Sequence, residues 1–122
     1  MTGALLVALG AAIGAPTRYL VDRGVQARHG SRMHWGTMLV NVGGAFVLGL
    51  LTGLAVSHDV PRAVMLALGV GFCGALTTFS TFSYETLRLW EADRHRSVLN
   101  VVLSVAAGLG AAVVGHLLGS LL

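Results

Sequence analysis

Between Gly69 and Ser83 the chain reads G-V-G-F-C-G-A-L-T-T-F-S-T-F-S. Three glycines, at 69, 71 and 74, precede five hydroxyl side chains, Thr77, Thr78, Ser80, Thr81 and Ser83, interleaved with Phe79 and Phe82. The run contains no acid, no base and no activated nucleophile. It offers hydrogen-bond donors and ring edges instead. Phe79 and Phe82 are three apart and share one helical face. A phenyl ring is positive at its edge, so a ring turned edge-on can face a small anion. Hydroxyl and amide N–H groups can donate to the same ion. Together they could replace a hydration shell without a fixed positive charge that would trap the ion. Two phenylalanines alone on such a helix would be ordinary packing residues; it is the adjoining hydroxyls that favour the anion reading.

The backbone of this run is also unusual. Glycine costs about 1 kcal/mol relative to alanine in a helix, and threonine propagates helix weakly. Hydroxyl side chains offer the backbone competing hydrogen bonds. A helix break is therefore expected between Gly74 and Thr78, the alternative being an unbroken helix whose hydroxyls bond to the preceding turn. Non-helical backbone at membrane depth survives only inside protein or beside a watery cavity. Broken helices commonly build ion sites, with freed carbonyls taking cations and N–H ends facing anions.

Other polar groups lie within apolar surroundings. Asn41, in G-T-M-L-V-N-V-G-G-A-F, carries an amide that must face protein or water. An interhelical hydrogen bond and a place beside an ion path are both open to it. Arg18 reads first as an anchor and second as an anion attractor. Asn100 and Ser104, four apart, face one way, and Gly108 continues that line without a donor. His116 stands alone and is expected to be a packing histidine. Cys73, the single cysteine, cannot form an internal disulfide.

These residues need elements to hold them, and the composition says which. The chain has 122 residues, 55% hydrophobic and only 11% charged, with a mean hydropathy of +0.79. A soluble domain carries about 25% charge. Lipid must be the solvent. Four stretches, uncharged over 2–17, 35–57, 63–84 and 97–122, give spans at about 2–21, 35–57, 63–89 and 97–122 in one four-helix transmembrane domain covering 1–122, the first qualifying only if Arg18 lies near an interface or a wet cavity. Gly10/Gly14, Gly49/Gly53 and Gly115/Gly119 form G-x-x-x-G pairs that let helix backbones approach closely. The net charge of +3 could suggest nucleic acid, but the arginines sit at the ends of apolar segments, as headgroup anchors do. Without a basic run ahead of the first apolar stretch, no cleaved leader is expected. No Ser-His-Asp grouping, metal spacing, P-loop or dinucleotide fingerprint is present, so no enzyme is expected. The five acids, Asp22, Asp59, Glu85, Glu91 and Asp93, are expected at or near helix ends.

The chain resembles, from end to end, the Fluc or CrcB-type fluoride channels. The resemblance is carried by G-A-P-T-R-Y at Gly14–Tyr19, by the G-T-x-x-V-N-x-x-G-x-F run at Gly36–Phe46, and by G-F-C-G-x-x-T-T-F-S-T-F at Gly71–Phe82. It implies an all-α membrane protein with a broken third helix, assembled as an antiparallel, dual-topology dimer with two pores. It implies a structural, non-transported sodium ion held by backbone carbonyls, which by motif position are those of Gly74 and Thr77. Phe79 and Phe82 would be the pore phenylalanines, with Ser80 and Thr81 beside them. Asn41 would be the pore amide, Glu85 the acid near the pore, and Asn100 and Ser104 the polar track of the fourth helix. The third track position falls at Gly108, a departure from the family pattern. The implied function is passive export of cytoplasmic fluoride across the cell membrane, reducing its toxicity.

Two rivals remain at this level. A small multidrug-type proton-coupled transporter is also a four-helix dimer, but needs a membrane-embedded carboxylate that the first span lacks. A non-transporting membrane subunit would have little use for so polar a third span. Orientation is the last expectation. Cytoplasmic loops are enriched in Lys and Arg. The first and third loops share a side and hold Arg23, Arg28, Arg32, Arg94 and Arg96, while the opposite side holds only Arg62. That imbalance predicts a preferred orientation with both termini outside. The partner is then an inverted homologous subunit, or a second copy of this chain if the arginines are buried in the dimer.

Overall fold

The computed structural model describes residues 2–29 and 35–122; Arg32, one of the loop arginines, lies outside them. Every regular element among the described residues is helical. Helix α1 spans Thr2–His29 and α2 spans Trp35–Ser57. Helix α3 covers residues 62–76, α4 spans Phe79–Ala92, and α5 spans Arg94–Leu121. Taken across the interruption, α3 and α4 make one span, and four segments are long and apolar enough to cross a membrane.

The helices outrun the uncharged stretches. Helix α1 continues past Arg18 to His29, and α4 runs through Glu85 to Ala92, leaving only Asp93 before α5. Hydropathy marks where lipid lies, whereas helix continues wherever backbone bonds can be made. Arginine, glutamate and leucine are all good helix formers. Asp93 marks the start of α5 as its cap: extended, at φ −158° and ψ 105°, with its carboxylate accepting the Arg96 N–H.

Helix α3 holds a feature the sequence reading missed. Between the α-helical turns Arg62–Val64 and Gly74–Leu76, the nine residues Met65–Cys73 are wound as a π-helix. Such segments are rare and gather at functional sites. Here the wider coil carries Gly69 and Gly71 on its buried side.

Glycine sets the packing. A Cβ placed on Gly10 would meet the backbone carbonyl of Ala67, and one on Gly14 the carbonyl of Phe72, so α1 lies directly on the π-helical segment. Gly71 returns the contact, its Cβ direction meeting the Val7 carbonyl oxygen at 2.5 Å. Between α2 and α5 the fit is reciprocal. Gly49 and Gly53 face the backbone of Ala112 and His116, while Gly115 and Gly119 face that of Phe46 and Leu50. All three G-x-x-x-G pairs are thus contact surfaces. Among the described residues the buried apolar side chains are few, namely Val40, Leu51, Cys73, Leu76 and Leu89. In lipid this suffices, because helices associate by close packing and polar contacts rather than by hiding apolar surface from water.

Candidate functional site

The interruption of the third span falls at two residues. Gly74 is helical, at φ −62° and ψ −39°. Thr77 (φ −80°, ψ 156°) and Thr78 (φ −150°, ψ 126°) are extended. The expected Gly74-to-Thr78 break is therefore confined to its threonines. Thr78 caps α4: its hydroxyl accepts the Thr81 N–H at 3.2 Å. Thr77 closes the preceding helix, its N–H and its hydroxyl both donating to the Cys73 carbonyl, at 3.0 and 2.9 Å.

Asn41 meets the break from α2. Its Oδ1 accepts the Thr78 N–H at 2.8 Å, and its Nδ2 donates to the Thr78 carbonyl at 3.1 Å. The amide thus pairs with Thr78 as a second strand would, satisfying backbone groups that lipid could not. One turn further along α2, Gly44 lets the helix press against the Thr77 methyl group, where a Cβ would collide.

This pairing decides which carbonyls are left over. In an unbroken helix the Thr78 N–H would bond to the Gly74 carbonyl and the Thr81 N–H to the Thr77 carbonyl. Both donors go to side chains instead, Asn41 Oδ1 and Thr78 Oγ1. Gly74 and Thr77 therefore keep carbonyl oxygens without their helical N–H partners. The two freed oxygens are neutral carbonyls, and among the described residues there is no cluster of three His, Cys, Asp or Glu that could hold a metal. Carbonyl oxygen suits a hard cation.

Two cavities adjoin Thr78. A groove of about 510 Å³ is lined by Asn41, Gly44, Gly74, Thr77, Thr78 and Phe79. A smaller cavity of about 190 Å³ is lined by Arg18, Asp22, Thr37, Thr78 and Thr81. The half-buried Arg18 guanidinium makes no hydrogen bond or ion pair among the described residues, which leaves its donors to whatever enters. The phenylalanine rings stand 6.1 Å apart at 45° to one another. Phe79 is 78% exposed on the single chain, so its ring turns toward lipid or a partner, while Phe82 is half-buried. Ser80 is exposed beside them, 3.4 Å from the Thr78 hydroxyl.

Deeper along α4 the acid expected near a helix end is buried. Glu85 is 8% exposed and accepts a hydrogen bond from the Thr37 hydroxyl, itself buried on α2. The uncharged stretch ends at Tyr84, which placed Glu85 near a helix end, but α4 continues seven residues beyond it. On the opposite side α5 is fastened to α4: Ser97 donates to the Thr86 carbonyl at 2.8 Å, and Asn100 reaches the Thr86 hydroxyl at 3.4 Å. Ser97 and Asn100 are each 2% exposed. Ser104 has a buried hydroxyl with no hydrogen bond among the described residues, and Gly108 faces open space. His116 contacts the Thr52 hydroxyl at 3.3 Å, far from these groups.

The structure thus gathers Asn41, Gly74, Thr77 and Phe79 around one groove, and Arg18 and Thr81 around the neighbouring cavity. Glu85, Asn100 and Ser104 continue along α4 and α5. Thr37, Thr86 and Ser97 were missed in the sequence. Helical spacing would have found two of them, since Thr37 lies one turn before Asn41 and Ser97 one turn before Asn100.

Residues 5–116 match the family described as CrcB-like protein, Camphor Resistance (CrcB). The fluoride-specific ion channel FluC 1 of Streptomyces avermitilis is 55% identical over 112 residues, covering 91% of this chain and 90% of that protein. FluC 1 of Frankia casuarinae is 50% identical over 117 residues, 91% of each chain. A fluoride-specific ion channel FluC 2 from Rhodococcus jostii is 49% identical, over 95% of this chain and 97% of its own.

Proposed function

The chain belongs to the CrcB-like family, and from that premise we propose that it is a fluoride-selective ion channel through which cytoplasmic fluoride leaves the cell passively. The observation that carries the reading is the break at Thr77–Thr78, with hydroxyl donors and a ring pair at the start of α4. Fluoride is small and strongly hydrated, so donors must replace its water closely. The exposed hydroxyl of Ser80, the donors of Arg18 and Thr81, and the second N–H of Asn41 are of that kind. Chloride is larger and fits a narrow donor-lined path poorly. Hydrogen fluoride crosses membranes and dissociates in a near-neutral cytoplasm; an open path lets the trapped anion return down its gradient. The process is passage rather than catalysis and needs no covalent step.

A single chain leaves the 510 Å³ groove and the Phe79 ring open on one side. An antiparallel dimer in the cell membrane covers them and brings two breaks together. The Gly74 and Thr77 carbonyls fit a structural sodium ion at that junction, and no carboxylate is required. When bound, the ion supplies a fixed positive charge that holds the freed carbonyls of the break in place.

The test is efflux from liposomes holding this chain alone, followed with a fluoride electrode and no proton gradient. Fluoride should leave at a rate proportional to protein. Proton movement driven by a cationic drug would favour a coupled transporter, and absence of any flux a non-transporting subunit.

Orientation bears on the partner. Arg23 stacks on Tyr19, Arg88 on Tyr84 and Arg94 on Trp90, with guanidinium carbons 5.7, 5.8 and 5.0 Å from the ring centroids. All three arginines are exposed, at the end of the bundle that also carries Trp35. Aromatic partners leave an arginine its charge, so these residues still count toward insertion. One-sided labelling of both termini, from outside intact cells, when the chain is expressed alone, together with no efflux by the lone chain, makes the partner an inverted homologous subunit. Equal labelling from both faces, with efflux by the lone chain, makes the partner a second copy.

A further inference from the structure

We infer that Asn41 is a positioning residue for the cation: its amide holds the third span open at Thr78 and so frees the Gly74 carbonyl, one of the two that can bind sodium. This rests on the sodium reading above and deepens it. The break is not secured by Thr77 and Thr78 alone. Thr78 has a half-buried N–H in a membrane-spanning segment, and such a group must be bonded. Two acceptors compete for it, Asn41 Oδ1 across the helix interface and the Gly74 carbonyl four residues back. Asn41 holds it at 2.8 Å. The Nδ2 bond to the Thr78 carbonyl, 3.1 Å, makes the contact two-pronged, so that it fixes the peptide plane as well as its distance. Gly44, one turn along, brings α2 near enough to Thr77 for the amide to reach.

Removing the amide changes the competition. The nearest remaining acceptor for the Thr78 N–H along the chain is the Gly74 carbonyl. That bond extends the helix by a residue and takes one oxygen away from the cation. The carboxamide therefore acts on sodium without touching it, and the same side chain borders the ion groove. One amide thereby links cation binding to the anion path.

The test uses the full chain in detergent or in vesicles, with sodium replaced stepwise by N-methylglucamine. Thermal stability of the assembled protein gives the sodium concentration for half-maximal stabilisation. In the wild-type chain stability should rise with sodium. In Asn41→Ala the midpoint should move up at least about tenfold, equivalent to about 1.4 kcal/mol. Asn41→Asp keeps an acceptor for the Thr78 N–H whether or not it is ionised, so its midpoint should be no higher than that of wild type. A general packing defect would instead lower stability at every sodium concentration with an unchanged midpoint, and that result overturns the inference. If Asn41→Ala does not assemble, Asn41→Asp decides, because a midpoint about tenfold above wild type with the acceptor retained overturns the inference equally. A wild-type chain indifferent to sodium removes the sodium reading itself, a failure distinguishable from that of the amide alone.

Discussion

Fluoride efflux is expected to fall about 30- to 100-fold in Phe79→Ile and in Phe82→Ile, with the assembled protein intact. The size takes the ring edge–anion contact to be comparable to a desolvated cation over a ring face, about 2 kcal/mol or somewhat more, as a barrier height. Isoleucine keeps apolar bulk and removes the polarised edge. The two rings are placed differently. Phe79 is 78% exposed on the single chain, whereas Phe82 is half-buried against it, 6.1 Å away. In the proposed dimer a partner closes over Phe79, whereas Phe82 is positioned by its own fold. Size-exclusion profiles and electrode traces on the same preparations separate flux from assembly. Near-normal efflux from both variants would return the rings to ordinary packing.

The second large effect is on assembly. Gly10→Val and Gly53→Val should leave little folded, monodisperse protein. In each case the first added carbon falls on a backbone carbonyl, that of Ala67 or of His116. A carbonyl cannot turn aside as a flexible side chain can, so the two helices must separate. Overpacking of this kind costs about 1–3 kcal/mol, and two further methyl groups add to it. That is a large share of a stability of about 5–15 kcal/mol. Gly110→Ala is the contrast. No atom lies within 4 Å of its Cβ direction, and alanine is the better helix former by about 1 kcal/mol. Its thermal midpoint should equal or exceed that of wild type. Wild-type midpoints in both valine variants would refute glycine-mediated packing.

The four spans were legible because lipid imposes a simple demand. About 20 predominantly apolar residues are needed for a span, and four helices among the described residues are long and apolar enough. The break was legible as a region because glycine and threonine are poor at propagating helix. Phe79 and Phe82 were legible as a pair because three residues make nearly one turn. Glu85 was misplaced because a buried carboxylate needs a partner on another helix. Thr37, 48 positions away, is invisible to any local pattern. The π-helical winding of Met65–Cys73 was missed for a similar reason, since it is adopted where Gly69 and Gly71 lie against neighbouring helices.

Local chemistry, then, fixed the solvent, the number of spans and the stretch where the third span would fail. The G-x-x-x-G spacing marked Gly49 and Gly53 for packing but left open against what, since only the laying of α5 on α2 brings the backbone of Ala112 and His116 to them. Local chemistry also left open where the break falls. Gly74 alone would have stayed in the helix; the extended residues are Thr77 and Thr78 because Asn41, 37 residues earlier, supplies the bonds that Thr78 gives up. A backbone group in lipid must be satisfied by something, and only the tertiary structure decides by what.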